Sequence, residues 1–313
     1  MRSAVVSLVQ VATALLGGPL LVGLMRKVRC GIEGRVGPPI WQPILDLRKL
    51  ARRERTSPEN ATWIFPIAPV ALVATTLVIV AVAPLLAIHP IFASTGDLFT
   101  VVFLLLLGSV SIALGALDSA TAFGGIGASR AMTIGALSEP ALLVAILALS
   151  VPARSSNLPT IISRSLSHPL WLASPQRLLA LVAFMIVVVA ESGRLPVDNP
   201  NTHLELTMIH EAMVLEYSGT DLAFVKLGES MRLFLLVVLF ANLFVPWGID
   251  NGRGSLDFLV GWVATVAKVA VLGVALGAVE TTMAKLRLFR VPELLAGAFA
   301  LALLSVVSAL VVS

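Results

Sequence analysis

The residues able to do chemistry concentrate in one stretch, from Glu191 to Gly219. It holds five carboxylates (Glu191, Asp198, Glu205, Glu211 and Glu216), together with Arg194 and the histidines His203 and His210. Long apolar runs flank it on both sides. Four more ionisable residues lie within or at the ends of such runs: Asp118, Glu139, Lys268 and Glu280. Ionisable groups in or near a bilayer are costly and usually functional. Carboxylates drawn partly out of water change their protonation readily. The chemistry such a set could do is the carriage of protons or ions. The competing reading makes the same charges ion pairs that hold helices together, and it stays open.

Other chemistries find less support. His210-Glu211-Ala212-Met213-Val214 begins like the zinc-protease HExxH, but Val214 stands where the second histidine would be. His203 and His210 are seven apart, which is not a chelating pair on one helix. Gly125-Ile126-Gly127 does not follow a strand and is no dinucleotide fingerprint, and Gly124–Gly127 reads as a flexible loop. Cys30 is the sole cysteine, so the chain has no disulfide framework, no thiolate metal site and no iron–sulfur ligation. No catalytic residue, metal or cofactor is assigned to it.

The elements that must position these residues follow from composition. Of 313 residues, 58% are hydrophobic and 13% charged, against about 25% charged in a soluble domain. The class is an all-α polytopic membrane protein. A span needs ~20 apolar residues, and eight segments qualify: about 4–25, 64–87, 98–117, 131–151, 176–190, 230–248, 258–281 and 293–312. The first is longer than a signal h-region, and Arg26, Lys27 and Arg29 follow it, so it reads as a span. The whole chain, 1–313, reads as one membrane domain.

Sixteen of the 22 Lys and Arg fall in or beside the loops 26–63, 118–130, 191–229 and 282–292, and five on the other side. The positive-inside rule then puts the two long loops, 26–63 and 191–229, in the cytoplasm and both termini outside. The net charge of +4 reports this asymmetry, and nucleic acid is not an expected partner. Residues 44–54 place Ile44, Leu47 and Leu50 on one helical face with basic residues opposite. That pattern fits an interfacial helix or a docking surface. Thr202 and Glu205 form a capping-box pattern that predicts a helix over 203–217.

Three groups of residues resemble one family. Glu191-x-x-Arg194-x-Pro196-x-Asp198, then Glu205 and Glu216-Tyr217-Ser218, resembles the acidic loop of the subunit 1 (H) family of respiratory complex I. Gly34-Arg35-Val36-Gly37-Pro38, then Gln42-Pro43, Asp46 and Lys49-Leu50, looks like that family's first cytoplasmic loop. Arg130 with Ser138-Glu139-Pro140 resembles its fourth span. Where quinone-reducing members carry further glutamates, this chain has Asn201 and His203. The run Asp198–Glu211 and the segment Glu280–Glu293 are similar to the branch found in membrane-bound [NiFe] hydrogenases of the formate hydrogenlyase and hydrogenase-4 type.

The resemblance implies a subunit without a redox centre, in the cell (inner) membrane. It would lie beneath hydrogenase small and large subunits and an iron–sulfur subunit, beside antiporter-like membrane subunits. From their charge and placement, Glu139, Glu191, Arg194, Asp198, Glu205, Glu211, Glu216, Lys268 and Glu280 are the expected ion path or coupling network. The resemblance implies that Arg35, Gly37, Pro38, Arg48, Lys49, Arg52 and Arg53 form the landing surface for the soluble partners. A quinone chamber of a complex I-like enzyme is the runner-up, a stand-alone transporter and a purely structural anchor the remaining alternatives.

Overall fold

Apolar runs fold as helices because a backbone removed from water must satisfy its own hydrogen bonds. A computed structural model describes residues 2–88, 90–168, 171, 174–198, 208–250, 252, 254–283, 286 and 290–312. Its helices are α1 (Arg2–Ile32), α2 (Gln42–Leu50), α3 (Ile64–Val82), α4 (Leu98–Asp118), α5 (Ala122–Ala153) and α6 (Leu158–Ser167). After these come α7 (Pro175–Glu191), α8 (His210–Val214), α9 (Gly219–Phe244), α10 (Ser255–Thr282) and α11 (Val291–Val312). Among the described residues there is no strand, only two isolated bridges. The protein is an all-α polytopic membrane protein.

Helices α1, α3, α4, α5, α10 and α11 are long and apolar enough to cross a membrane. The other two expected spans correspond to α7 and α9. Helix α7 has 17 residues. Helix α9 is buried along nearly its whole length from Ser230 to Phe244. A helix apolar on every side sits at the centre of a bundle. Helix α9 packs against α3, α1, α10 and α7, while α11 packs on α5 and α7.

Several boundaries differ from the pattern reading. Helix α5 starts at Ala122 and takes in Gly124–Gly127, which were expected as a loop. Thr121 caps it by accepting the Gly124 N–H at 3.2 Å. A Cβ on Gly124 would come within 2.5 Å of the Ala116 carbonyl oxygen, so the glycine serves close approach. With nine residues in front of the expected start at 131, Glu139-Pro140 lies mid-helix. Helix α3 stops at Val82, before Pro84 pushes Ala83 into an extended conformation (ψ 146°). Helix α9 begins at Gly219 and absorbs residues expected in the loop. Helix α6 was not anticipated.

The expected helix over 203–217 is short within the described residues. It covers His210–Val214, while Thr202, His203 and Glu205 lie outside them. Asp198 organises its start, accepting the N–H groups of Ile209 (3.3 Å) and His210 (3.1 Å).

Helices α1 and α10 cross closely. A Cβ on Gly273 would meet Leu21 Cδ1 at 2.4 Å, and one on Gly277 would meet the Met25 carbonyl oxygen at 3.1 Å. Small residues at such a crossing let two helices approach where no hydrophobic effect drives them together.

Candidate functional site

The bundle end that carries residues 32–63, 192–198 and 208–218 gathers most of the described ionisable residues. Glu191 closes α7 and turns inward because α5 and α9 offer it polar partners. Arg232 on α9 pairs with it, Nη2 to Oε2 at 2.5 Å, with both side chains less than one-tenth exposed. Ser138 on α5 donates its hydroxyl to the other oxygen, Glu191 Oε1. Next to Ser138, Glu139 is 5% exposed, and among the described residues its Oε1 meets no hydrogen-bonding group. A second pair lies beside the first: Arg194 Nη1 reaches Glu280 Oε1 at 2.9 Å.

Further out, Asp198 faces His210, whose Nδ1 is 3.6 Å from Asp198 Oδ2. That distance is an ion-pair contact and too long for a hydrogen bond. Burial alone would lower the His210 pKa. The carboxylates of Asp198, Glu229 and Glu191 together outweigh burial, Asp198 contributing most, and the imidazole is raised above 6.5. Gly193 makes room for this ring: its φ is +59°, and a Cβ there would lie 2.7 Å from His210 Nδ1. Lys226 on α9 bridges Glu211 at 2.8 Å and Glu229 at 3.2 Å.

These groups open into a cavity of about 1310 Å³. Glu139, Glu191, Arg232, Arg194, Glu280, Asp198 and His210 line it together. Leu72, Leu106, Ile112 and Met132 give it an apolar wall, and Arg26, Arg29, Arg35 and Pro38 border it from α1 and the first loop. Helix α2 also borders it. Leu47 and Leu50, expected on a lipid or docking face, line the cavity instead. The outward side of α2 carries Trp41, which precedes it, with Leu45, Arg48 and Lys49, all exposed.

Of the expected path, the structure therefore brings together Glu139, Glu191, Arg194, Asp198, Glu211 and Glu280. Glu205 lies outside the described residues. Glu216 is half-buried and does not line the cavity. Lys268 is elsewhere: its Nζ donates to Asn242 Oδ1 at 2.9 Å and to the Val245 carbonyl at 3.1 Å, near the opposite end of α9. Among the expected landing residues, Arg35, Arg48, Lys49, Arg52 and Arg53 are exposed. Gly37 is pressed against Cys30, its built Cβ 2.9 Å from that residue's Cβ.

Sequence reasoning missed the roles of Ser138, Arg232, Lys226 and Glu229. Arg232 entered only the count of basic residues in or beside the loops. The signal for Lys226 and Glu229 was their i,i+3 spacing. A clasp between the two long loops was missed as well. Arg55 pairs with Asp221 at 2.7 Å, the Thr56 N–H donates to Ser218 Oγ at 2.9 Å, and Ser218 Oγ donates to the Thr56 carbonyl at 3.0 Å. Nothing in local spacing links residues 162 apart.

The fold and the site together define a membrane-embedded helical bundle with an ionisable network and a large cavity at one end. Comparison with known proteins gives the family. A family model described as NADH dehydrogenase matches residues 4–312. The chain is 33% identical over 299 residues to "Hydrogenase-4 component C" of Escherichia coli (strain K12), covering 96% of this chain and 93% of that one. It is 30% identical to "Formate hydrogenlyase subunit 4" of the same organism, covering 97% of each. It is also 30% identical over 236 residues to the NADH-quinone oxidoreductase H subunit of Syntrophotalea carbinolica, covering 70% of each. The chain belongs to the NADH dehydrogenase subunit 1 (complex I H) family. A chain of the membrane-bound sulfane sulfur reductase, an archaeal respiratory membrane complex, shares the fold with a TM-score of 0.84 at 23% identity, over 99% of this chain and all of that one.

Proposed function

We propose that this chain is the membrane-anchoring and ion-coupling subunit of a hydrogenase-type complex of the hydrogenase-4 or formate hydrogenlyase kind, with no redox centre of its own. Soluble hydrogenase and iron–sulfur subunits would land on the end that carries the two long loops, at Arg35, Arg48, Lys49, Arg52 and Arg53. Antiporter-like membrane subunits would flank the bundle in the cell membrane. That end would face the cytoplasm, with eight helices crossing and both termini outside.

The observation that carries the reading is the joined network Ser138–Glu191–Arg232, with Glu139 beside it and Arg194–Glu280 next to it, open to one cavity. A charge change on a partner at the cavity mouth alters the field at these buried groups. A buried carboxylate responds by taking up or releasing a proton. The relatives favour the hydrogenase branch because both Escherichia coli proteins match nearly the full chain.

The test compares two activities of one purified complex. Glu139→Gln and Glu211→Gln, neither of which strands a buried charge, are expected to leave the complex assembled and its hydrogenase activity toward a soluble dye in place. They are expected to cut the physiological reaction and its ion movement by about 10²-fold, the lower end of what a positioned acid or base contributes. Unchanged physiological turnover in both variants would make these acids structural and favour a plain anchor.

A second reading has one observation behind it. The apolar wall of Leu72, Leu106, Ile112 and Met132 suits a quinone-like ring and tail. It predicts that a short-chain quinone protects cysteines placed at Ile112 and Met132 from labelling.

A further inference from the structure

We infer that Arg130 is a positioning residue: by holding the Met208–Ile209 peptide, it sets where α8 places His210 and Glu211 in the cavity. Its effect on turnover rests on the coupling role proposed above, whereas the positioning itself does not.

Helix α8 covers only five residues, His210–Val214. A single turn fixes several backbone angles for very few hydrogen bonds, so it does not stand without outside support. It nevertheless carries His210, Glu211 and Met213 to the cavity wall. The support comes from α5. Gly127 lets the two helices meet: a Cβ there would lie 2.9 Å from Ala212 Cβ and 3.1 Å from both the Ile209 carbonyl oxygen and the Met213 nitrogen. Ala128 shares an apolar cluster with Met213 and Val214, and Ile134 shares another with Ile209.

Apolar contact is not directional, and by itself it leaves a single turn free to roll. Arg130, one turn along α5 from Gly127, removes that freedom. Its Nη1 donates to the Met208 carbonyl oxygen at 3.2 Å. Met208 lies two residues before α8, so this carbonyl takes no bond from the helix itself. Asp198 Oδ2 accepts the Ile209 N–H at 3.3 Å. The Met208 carbonyl and the Ile209 N–H belong to one planar peptide unit. A guanidinium therefore holds that unit at its oxygen and a carboxylate holds it at its nitrogen. Each bond has an ionised member, which is the stronger kind.

The same carboxylate oxygen carries the orientation on to the imidazole. Asp198 Oδ2 accepts the His210 N–H at 3.1 Å and lies 3.6 Å from the ring Nδ1. Glu211, the next residue, reaches Lys226 on α9 at 2.8 Å. Turning the Met208–Ile209 peptide would shift both side chains together.

The experiment uses the purified complex. It follows the reaction of His210 with diethyl pyrocarbonate across pH by peptide mass spectrometry, because only the neutral imidazole reacts. Burial lowers the His210 midpoint, and Asp198, Glu229 and Glu191 more than offset this and hold it above 6.5 in the wild-type protein. Arg130→Met is expected to lower the midpoint toward 6.5 as the ring moves off Asp198. Losing a cation through charge alone would raise it, so the sign separates positioning from electrostatics. Physiological turnover is expected to fall about tenfold, the scale of one hydrogen bond to a charged group, with dye activity kept. Arg130→Lys keeps the charge but replaces the planar fork with a single ammonium, and its midpoint is expected between the other two. It carries the test if the Met variant does not assemble. A midpoint that stays or rises in both variants overturns the inference. A lowered midpoint with undiminished turnover keeps Arg130 as the residue that sets α8 and takes α8 out of the coupling reading.

Discussion

Arg194 and Glu280, 86 residues apart in sequence, meet at 2.9 Å. Arg194 belongs to the loop after α7, and Glu280 to the last turns of α10. The pair fastens that loop to the bundle, with the carboxylate only 7% exposed and the guanidinium 17%.

Breaking one side of this pair should hurt more than removing both. Arg194→Met strands a buried carboxylate and is expected to destabilise the chain by ~3–5 kcal/mol. Adding Glu280→Met should recover much of that loss. Thermal unfolding of the three variants in detergent checks the sign of the coupling. A double variant no better than Arg194→Met would mean that Glu280 finds other support.

A packing prediction concerns Gly115 and Tyr217. The Tyr217 ring stacks on Phe65 with centroids 4.2 Å apart, and its hydroxyl donates to the Phe65 carbonyl at 3.2 Å. A Cβ on Gly115 would sit 2.1 Å from the Tyr217 oxygen and 2.8 Å from Ala68 Cβ. Gly115→Ala is expected to destabilise by ~1–3 kcal/mol through overpacking. Combining it with Tyr217→Phe removes the nearest clash and should relieve part of the loss, read by melting temperature.

The pH dependence follows from His210. Burial lowers its folded pKa, but Asp198, with Glu229 and Glu191, more than offsets this and raises it above the ordinary 6.5. The stability from its pairing is therefore fully present below pH 6.5 and is lost as pH rises through the folded pKa. Amide exchange in residues 208–214 should speed up over that rise in the wild-type protein. In His210→Gln the step should vanish. An unchanged step in the variant would assign it to another group.

The clasp between the loops predicts a local effect. Gly219 has φ +52°, and a Cβ there would lie 2.3 Å from the Glu54 carbonyl oxygen. Gly219→Ala is strained in both respects and is expected to cost more than ~1 kcal/mol. Ser218→Ala removes only the hydrogen bonds to Thr56 and should cost about 1 kcal/mol. Limited proteolysis near residues 52–58 should be faster in both variants, and fastest in Gly219→Ala.

Much of this protein was legible from its residues alone. Run lengths and the scarcity of charge were enough for the helical membrane bundle, because hydrocarbon admits few ways to satisfy a backbone. The crowding of acids between Glu191 and Glu216 marked the site, and the spacing of Glu191, Arg194 and Asp198 pointed to the family. Local pattern failed where a distant atom decides the outcome. The Gly124–Gly127 segment looks like a breaker, yet it is helical, with Gly124 in close contact with the end of α4 and Gly127 with the start of α8. The apolar face of α2 looks like a lipid contact, yet it borders a cavity made by other helices. Glu139, Glu191, Arg194 and Glu280 drew notice one by one as charges near a membrane. Only the packing of α5, α7, α9 and α10 decided that Glu191 takes Arg232 and Ser138, that Glu280 takes Arg194, and that Lys268 stands apart with Asn242. Pairing between buried charges depends on which helix faces come together, and one chain's spacing carries no record of that.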